Sequence, residues 1–593
     1  MFRFNKIERF LMHLLSVSWD LGARIFISLS GTRSHMNPGP TPARLIGPAL
    51  GEEPADIVFS GACLFDPFTC TWIETGFAVA YGRIVGLGDH YRGRTTCDLK
   101  GKRVISGLID AHVHIESSLL APSEYARVVA LHGTTTVVAD PHEIANVCGA
   151  EGLTYMLEQR QGLPVDIFFM LPSCVPATPL DKGGAELTAK DLAGFIGKEG
   201  VLGLGEMMNV PGVLAQDPEV WEKLALFRII DGHAPLLTGP SLNAYICAGI
   251  ESDHECTGKA EAAEKLARGM FIFAREGSTE KNLKELISLA SPCTASRMAF
   301  ATDDRHADML VGEGHIDDCI RKALHYGLEL EIALRMATLS AADRFSLHDR
   351  GALAPGRIAD FCLIGEGDAF TIEKVYKSGI LVDPGTRKRP RIIRSPMEAR
   401  VPSLESLTIR GNGMAHVIGI VPHQILTENR EYFVEGVGIP DTDRDILKVV
   451  VCSRYRKGVM GLGLVQGFGL QIGAIAGSVS HDAHNLVAVG VDDPDILAAL
   501  AQIIRAGGGL AVADSGSVDL LPLECAGLMS VLPAEEVAER LHDLNRRAEK
   551  MGALPEAFMY LSFLSLTVIP RLRVTERGMF DADTFQDIPL FLS

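Results

Sequence analysis

Residues 106–116 read SGLIDAHVHIE. A short apolar run ends at Ile109, Asp110 follows, and then come His112 and His114 with one residue between them. In a β-strand, positions i and i+2 point to the same face, so the two imidazoles project together from the end of a strand. Two imidazoles on one face are a ready pair of metal ligands. A bare HxH is equally at home among ordinary core and surface histidines. Here further ligand types follow at the ends of other apolar runs, and that gives the pair its weight.

Working outward from this stretch, the chain alternates strands with helices. Candidate strands are 104–112, 135–140, 165–171, 201–206, 228–233, 249–254, 270–275 and 298–303, with helical stretches such as 259–268 and 280–289 between them. Eight such strands predict an α/β chain whose residues 104–344 form a (β/α)8 barrel. In that fold the chemistry sits at the C-terminal ends of the strands. Those ends carry His112 and His114, then Asp140, His142 and Glu143, then Glu206, His233, His254 with Glu255, and Asp303 with Asp304. Singly, each suits an ordinary loop. Packing does not explain a ligand type at most strand ends.

Residues 55–103 carry short β-branched and aromatic runs broken by Gly and Asp. The stretches GALAPGRIADFCLI, 351–364, and TIEKVYKSGILV, 371–382, read as strands that return to the same small β-structure. A small β-sandwich built from 55–103 and 345–395 is the expectation, with a Pro- and Arg-rich linker at 384–402. Residues 403–593 form another α/β unit, with strands near 447–452, 486–490 and 510–513 and helices near 493–506 and 534–551. GLGLVQG, 461–467, places its third glycine one position late for a dinucleotide fingerprint and reads as a loop or a tightly packed strand. SHDAHN, 480–485, is either a polar turn or part of a site. Residues 1–54 read as an N-terminal extension. Their apolar run, 7–29, is broken by Glu8, Arg9, Asp20 and Arg24, which suits neither a spanning helix nor a secretory signal. The Gly- and Pro-rich 31–53 reads as a linker.

At 593 residues and 47% apolar content, several well-buried cores are expected and disorder is not. A formal charge of −18 argues against nucleic-acid and anionic-membrane partners. The twelve cysteines form no CxxC pair, which points to reduced thiols and a cytoplasmic protein.

IDAHVHIE after a β-rich leader, and APGRIADF after a barrel, resemble the two ends of the amidohydrolase superfamily. The segments HVHIESS, ADPHEIANV, GLGEMMN, DGHAP, SDHE, ATDD, SHDAHN and PRLRVTERGMFD resemble, more closely, its bacterial adenine deaminases. The likeness runs from about residue 55 to the C-terminus. It implies one or two divalent metals held by His112, His114, Glu206, His233, His254 and Asp303. Many superfamily members carry a carboxylated lysine where this chain has Glu206, so that subclass is disfavoured. The resemblance favours manganese or iron. Zinc also suits mixed imidazole and carboxylate ligands.

What the resemblance implies for the chemistry is hydrolytic deamination of adenine, a purine-salvage reaction, in a homodimer. Glu143 would serve the ring nitrogen and Asp303 would move a proton from the attacking oxygen to the leaving amine. Asp140 and His142 would orient Glu143 or contact the purine. Glu255, His481, Asp482 and His484 are candidates for substrate binding, with the C-terminal unit reaching over the barrel mouth. The alternative on the same fold is hydrolysis of a cyclic amide or an N-acyl group. The HxE and PCxxC pattern of the zinc deaminases that act on flipped bases is absent.

Overall fold

The structure is a computed structural model that describes residues 41–592, apart from Pro179, Asp368, Pro384, Thr386, His423 and 436–438. The apolar run at 7–29 lies outside the described residues. Within the stretch read as a linker, Pro42–Leu50 is a helix. Pro42 sits in its first turn, where a missing N–H costs nothing, and Gly51 closes it with φ 74°. Leu45 and Ala49 pack on the apolar cluster of Ala55, Val58, Ala78 and Val85, which explains why the segment is ordered.

Eight parallel strands form the barrel: β1 (Leu108–Val113), β2 (Thr134–Ala139), β3 (Asp166–Leu171), β4 (Val201–Met207), β5 (Ile230–Gly232), β6 (Ser252–Asp253), β7 (Phe271–Arg275) and β8 (Met298–Ala301). Strands β1 to β5 pair in order, as do β6 to β8. Backbone hydrogen bonds close the ring. Asp303 N donates to His112 O at 3.0 Å and His114 N to Asp303 O at 3.2 Å, joining β8 to β1. Glu251 N donates to Ile230 O at 3.2 Å and Phe271 N to Glu251 O at 2.8 Å, joining β5 to β7 beside β6. The strands are buried on both faces, which is why they read as near-continuous apolar runs.

The run expected as one strand over 104–112 is two. Arg103–Ser106 belongs to the flanking sheet, where it pairs with Phe361–Ile364, and β1 starts at Leu108. Gly107 separates them. A Cβ there would lie 2.2 Å from Thr135 Oγ1, so only glycine lets the chain pass between the two sheets. The flanking segments form one eight-stranded sheet around an aromatic cluster of Phe59, Phe77, Phe361 and Tyr376.

The C-terminal unit is built on a second eight-stranded sheet. Its order is Thr427–Glu435, Asn412–Ile420, Met460–Gln466, Ile446–Cys452, Leu486–Gly490, Ala474–Gly477, Gly509–Asp514 and Ser517–Pro522. All its pairings are antiparallel except Asn412–Ile420 with Met460–Gln466. The glycine-rich GLGLVQG is a tightly packed strand: a Cβ on Gly461 would lie 2.1 Å from Thr575 O. Helices Asp493–Ala506 and Ala534–Lys550 cover the sheet.

Barrel and C-terminal unit share one apolar core, in which Val113, Tyr125, Ala307 and Leu310 pack with Val479, Leu528, Val537 and Leu541. The described residues of the Pro- and Arg-rich 384–402 stretch form no helix or strand, yet they are held between the two. Ala526 N donates to Ile393 O, Glu398 N to Arg454 O and Tyr155 Oη to Arg391 O, and Ile393 and Ala399 are buried.

Glu556 sits at this junction with no partner for its Oε2. Burial raises its carboxyl from 4.5 to about 7, and the like charges of Asp308 and Glu549 add to the effect. Between those two values the folded chain holds a proton that the unfolded chain has released, so stability falls as pH rises through that window. Glu556→Gln is expected to raise the thermal midpoint at pH 8 by about 1–3 °C, a figure discounted for partial exposure, and to raise it less at pH 5. Calorimetry showing an equal rise at both pH values would contradict this.

Candidate metal centre

The strand ends converge. His112 and His114 leave β1 with their Nε2 atoms 3.2 Å apart, and both rings are buried. His114 is held by Nδ1, 2.9 Å from Asp140 O at the end of β2. Asp110, two residues before His112, accepts from Thr302 Oγ1 at 2.5 Å, with His315 Nε2 at 3.0 Å. That network ties β1 to β8 below the centre.

Glu206, on β4, lies in the middle. Its Oε1 is 3.2 Å from His114 Nε2 and 4.0 Å from His112 Nε2. Its Oε2 is 2.7 Å from His233 Nδ1 and 3.3 Å from His254 Nε2. Asp303 Oδ1 is 3.2 Å from His114 Nε2 and 3.8 Å from His112 Nε2. Its Oδ2 accepts from Arg275 Nη1 at 2.6 Å. Burial alone would raise both carboxyls. Hydrogen bonds from His114 and His233 hold Glu206 well below the usual range, and the Arg275 charge does the same for Asp303. Burial, helped by the neighbouring His254 and His114, keeps His112 neutral with its pKa well lowered, the form a ligand needs.

Asp140 holds the backbone here. Its Oδ2 accepts from Glu206 N at 2.9 Å and its Oδ1 from His142 N at 3.2 Å. A Cβ on Gly205 would lie 1.9 Å from that Oδ2, so the glycine before Glu206 makes room for the carboxylate. His142 stands between two carboxylates, with Nδ1 3.3 Å from Glu206 Oε1 and Nε2 3.3 Å from Glu143 Oε1.

The C-terminal unit completes the site. His481 Nδ1 and His484 Nε2 each contact one oxygen of Glu143, and Asp482 Oδ1 is 3.5 Å from His142 Nε2. Burial would raise the Glu143 carboxyl, but the charges of His481, His484 and His142 hold it well below the usual range. Burial works to lower His481, but the charges of Glu143, Asp304 and Asp482, with the Glu143 hydrogen bond, together outweigh it and bring the imidazole up to about 9. Ile425, Phe563, Leu566 and Val568 give the pocket an apolar wall, and the Phe563 ring stacks on His481 at 4.9 Å.

The structure therefore brings together all the residues singled out in the sequence. Glu255 is among them, but Arg275 engages both of its oxygens. Sequence reading missed Arg275, the last residue of β7, because an arginine is not a metal-ligand type. It also missed Glu116 and Glu280, two buried carboxyls raised to about 7 chiefly by burial. A larger cavity opens beside Ser173, Cys174 and Lys223, but none of the converging strand-end histidines lines it.

The residues fit a metal. Several groups of three donors from this cluster, such as His112, His254 and Asp303, or Glu206, His233 and His254, offer ligand atoms within 4.8 Å of one another. His233 Nε2 and His142 Nδ1 are buried with no hydrogen-bond partner, which is costly unless something else takes their lone pairs. Imidazole with carboxylate is the donor set of zinc, manganese and iron.

Residues 103–382 match the Amidohydrolase family, and residues 424–586 match the Adenine deaminase C-terminal domain. A protein of Methanoculleus marisnigri named adenine deaminase is 62% identical over 515 residues, covering 87% of this chain and 99% of that protein. One of Methanoregula boonei with the same name is 57% identical over 558 residues, covering 94% and 100%. Adenine deaminase 2 of Carboxydothermus hydrogenoformans is 45% identical, covering 92% and 99%. With a divalent-metal barrel at one end and the matching C-terminal domain at the other, this chain belongs to the adenine deaminase family of the amidohydrolases.

Proposed function

We propose that this protein hydrolyses adenine to hypoxanthine and ammonia at a centre of two divalent metals, with manganese or iron favoured. The observation that carries the reading is Glu206, whose two oxygens face different imidazole pairs: Oε1 faces His112 and His114, and Oε2 faces His233 and His254. His112, His114 and Asp303 would hold one metal, His233 and His254 the other, and Glu206 would bridge them. When bound, such metals lower the pKa of water so that hydroxide is available at neutral pH.

The chain's own groups handle the protons. One water is consumed: its oxygen ends on C6, one proton ends on ring N1 and the other leaves with the amine as ammonia. Glu143 would serve N1, and its contact with His481, raised to about 9, would supply a proton to pass on, the proton that water gives up restoring His481. Asp303 takes the second proton and hands it to the amine, with Arg275 fixing its carboxylate. The apolar wall formed by Ile425, Phe563, Leu566 and Val568 packs on the ring and excludes bulk water.

The test is adenine turnover by enzyme grown with iron chelated and manganese added, with metal measured on the same sample. Hypoxanthine and ammonia in equal amounts, with about two metals per chain, are the expected result. Bound metal without adenine turnover would move the substrate to a cyclic amide or N-acyl compound on the same fold.

A further inference from the structure

Arg573 is fully buried, and its hydrogen bonds all go to backbone carbonyls. Nε donates to Ile569 O at 2.9 Å and Nη1 to Phe563 O at 2.9 Å. Nη2 donates to Ile425 O at 2.7 Å and to Pro570 O at 2.9 Å. Burying a guanidinium away from any anion is expensive, and burial draws its pKa down to about 9. Apolar packing at that position calls for no charge.

The guanidinium joins two stretches that are distant in sequence. One contains Ile425 and the other runs from Phe563 to Pro570. Between them they supply Ile425, Phe563, Leu566 and Val568, the apolar side of the substrate pocket. The second stretch and the residue before it also carry His481: the Phe563 ring stacks on the imidazole, and His481 N donates to Ser562 O at 2.9 Å.

We propose that Arg573 is a positioning residue for substrate. By tying Ile425 to the 563–570 stretch it holds the apolar wall at a fixed separation from the metal ligands, so that a flat heteroaromatic ring is gripped between them. This rests on the purine reading of the pocket. An arginine suits the task because its planar fork reaches several carbonyls at once, whereas a lysine ammonium can keep the charge and only part of that set.

Full-length Arg573→Met and Arg573→Lys, metal-loaded, decide the matter through KM, kcat, metal content and thermal midpoint. Expected for Arg573→Met is a full metal load, kcat within about threefold and KM for adenine raised at least about tenfold, with Arg573→Lys, which keeps part of the carbonyl set, giving a KM between those of Arg573→Met and the wild type. A wild-type KM in Arg573→Met, or KM and kcat that change only in proportion to lost metal, would overturn the proposal. If Arg573→Met does not fold, hydrogen exchange of the wild-type protein with and without hypoxanthine replaces it. Slower exchange in 424–427 and 562–570 is expected with the ligand, and unchanged exchange in both overturns the proposal. Wild-type enzyme in the same assays keeps the two readings apart, since absent adenine turnover there condemns the proposed function and not the placement of Arg573.

Discussion

Glu143→Gln is expected to lower kcat for adenine by about a thousandfold while leaving metal content and the thermal midpoint near those of the wild type. Glutamine keeps the size and one acceptor oxygen, so His481 keeps its partner while His484 comes to face the amide nitrogen. What is lost is the ability to take up and release a proton. General acid–base groups contribute between about a hundredfold and ten-thousandfold, and a residue that serves the ring nitrogen belongs high in that range. KM should change little, because the purine lies against the apolar wall and not against this carboxylate alone. Near-wild-type kcat with a full metal load would remove Glu143 from the chemistry and leave it a structural anchor for the C-terminal unit.

Asp303→Asn should cost more, at least about a thousandfold in kcat, because the residue is asked to do two things. It is a proposed ligand, 3.2 Å from His114 Nε2, and the proposed carrier of the proton to the leaving amine. Asparagine also leaves Arg275 facing a neutral amide at a buried site, where Nη1 now meets carboxylate oxygens of both Asp303 and Glu255. Metal analysis separates the roles. Loss of activity with the metal retained would assign the defect to proton transfer, and loss of about one metal per chain would assign it to ligation. A variant that keeps both metal and turnover would fault both assignments.

Much of this arrangement was legible in the sequence because a parallel barrel exposes strand ends on one face. His233 and His254 follow strands of only three and two residues, Ile230–Gly232 and Ser252–Asp253. Such fragments carry no periodicity, and it was the histidines that marked them. The link between Glu143 and the SHDAHN turn was harder. The partners lie 338 and 341 residues apart, and no local pattern reports a contact of that range. Only the residue types gave a hint. Local reading also failed at Gly107, where the apolar run continues although the chain changes sheets, and at 384–402. There Ile393 and Ala399 anchor an irregular segment whose composition alone reads as a loose tether. Arg573 is the clearest omission: a basic residue in a short strand carries no sign that four carbonyls surround it.

The pairing of Arg103–Ser106 with Phe361–Ile364 has a consequence for how the protein is made. The two strands are separated by the whole barrel, and a ribosome adds about 5–20 residues per second. The earlier strand therefore emerges roughly 13–50 s before its neighbour, with Val104 and Ile105, both completely buried in the finished protein, lining an unfilled edge. During that interval the nascent chain presents the kind of apolar strand that other chains can pair with. Newly synthesised protein should therefore lean on holding chaperones during translation. A circular permutant that places the two strands side by side in sequence should be released from that dependence.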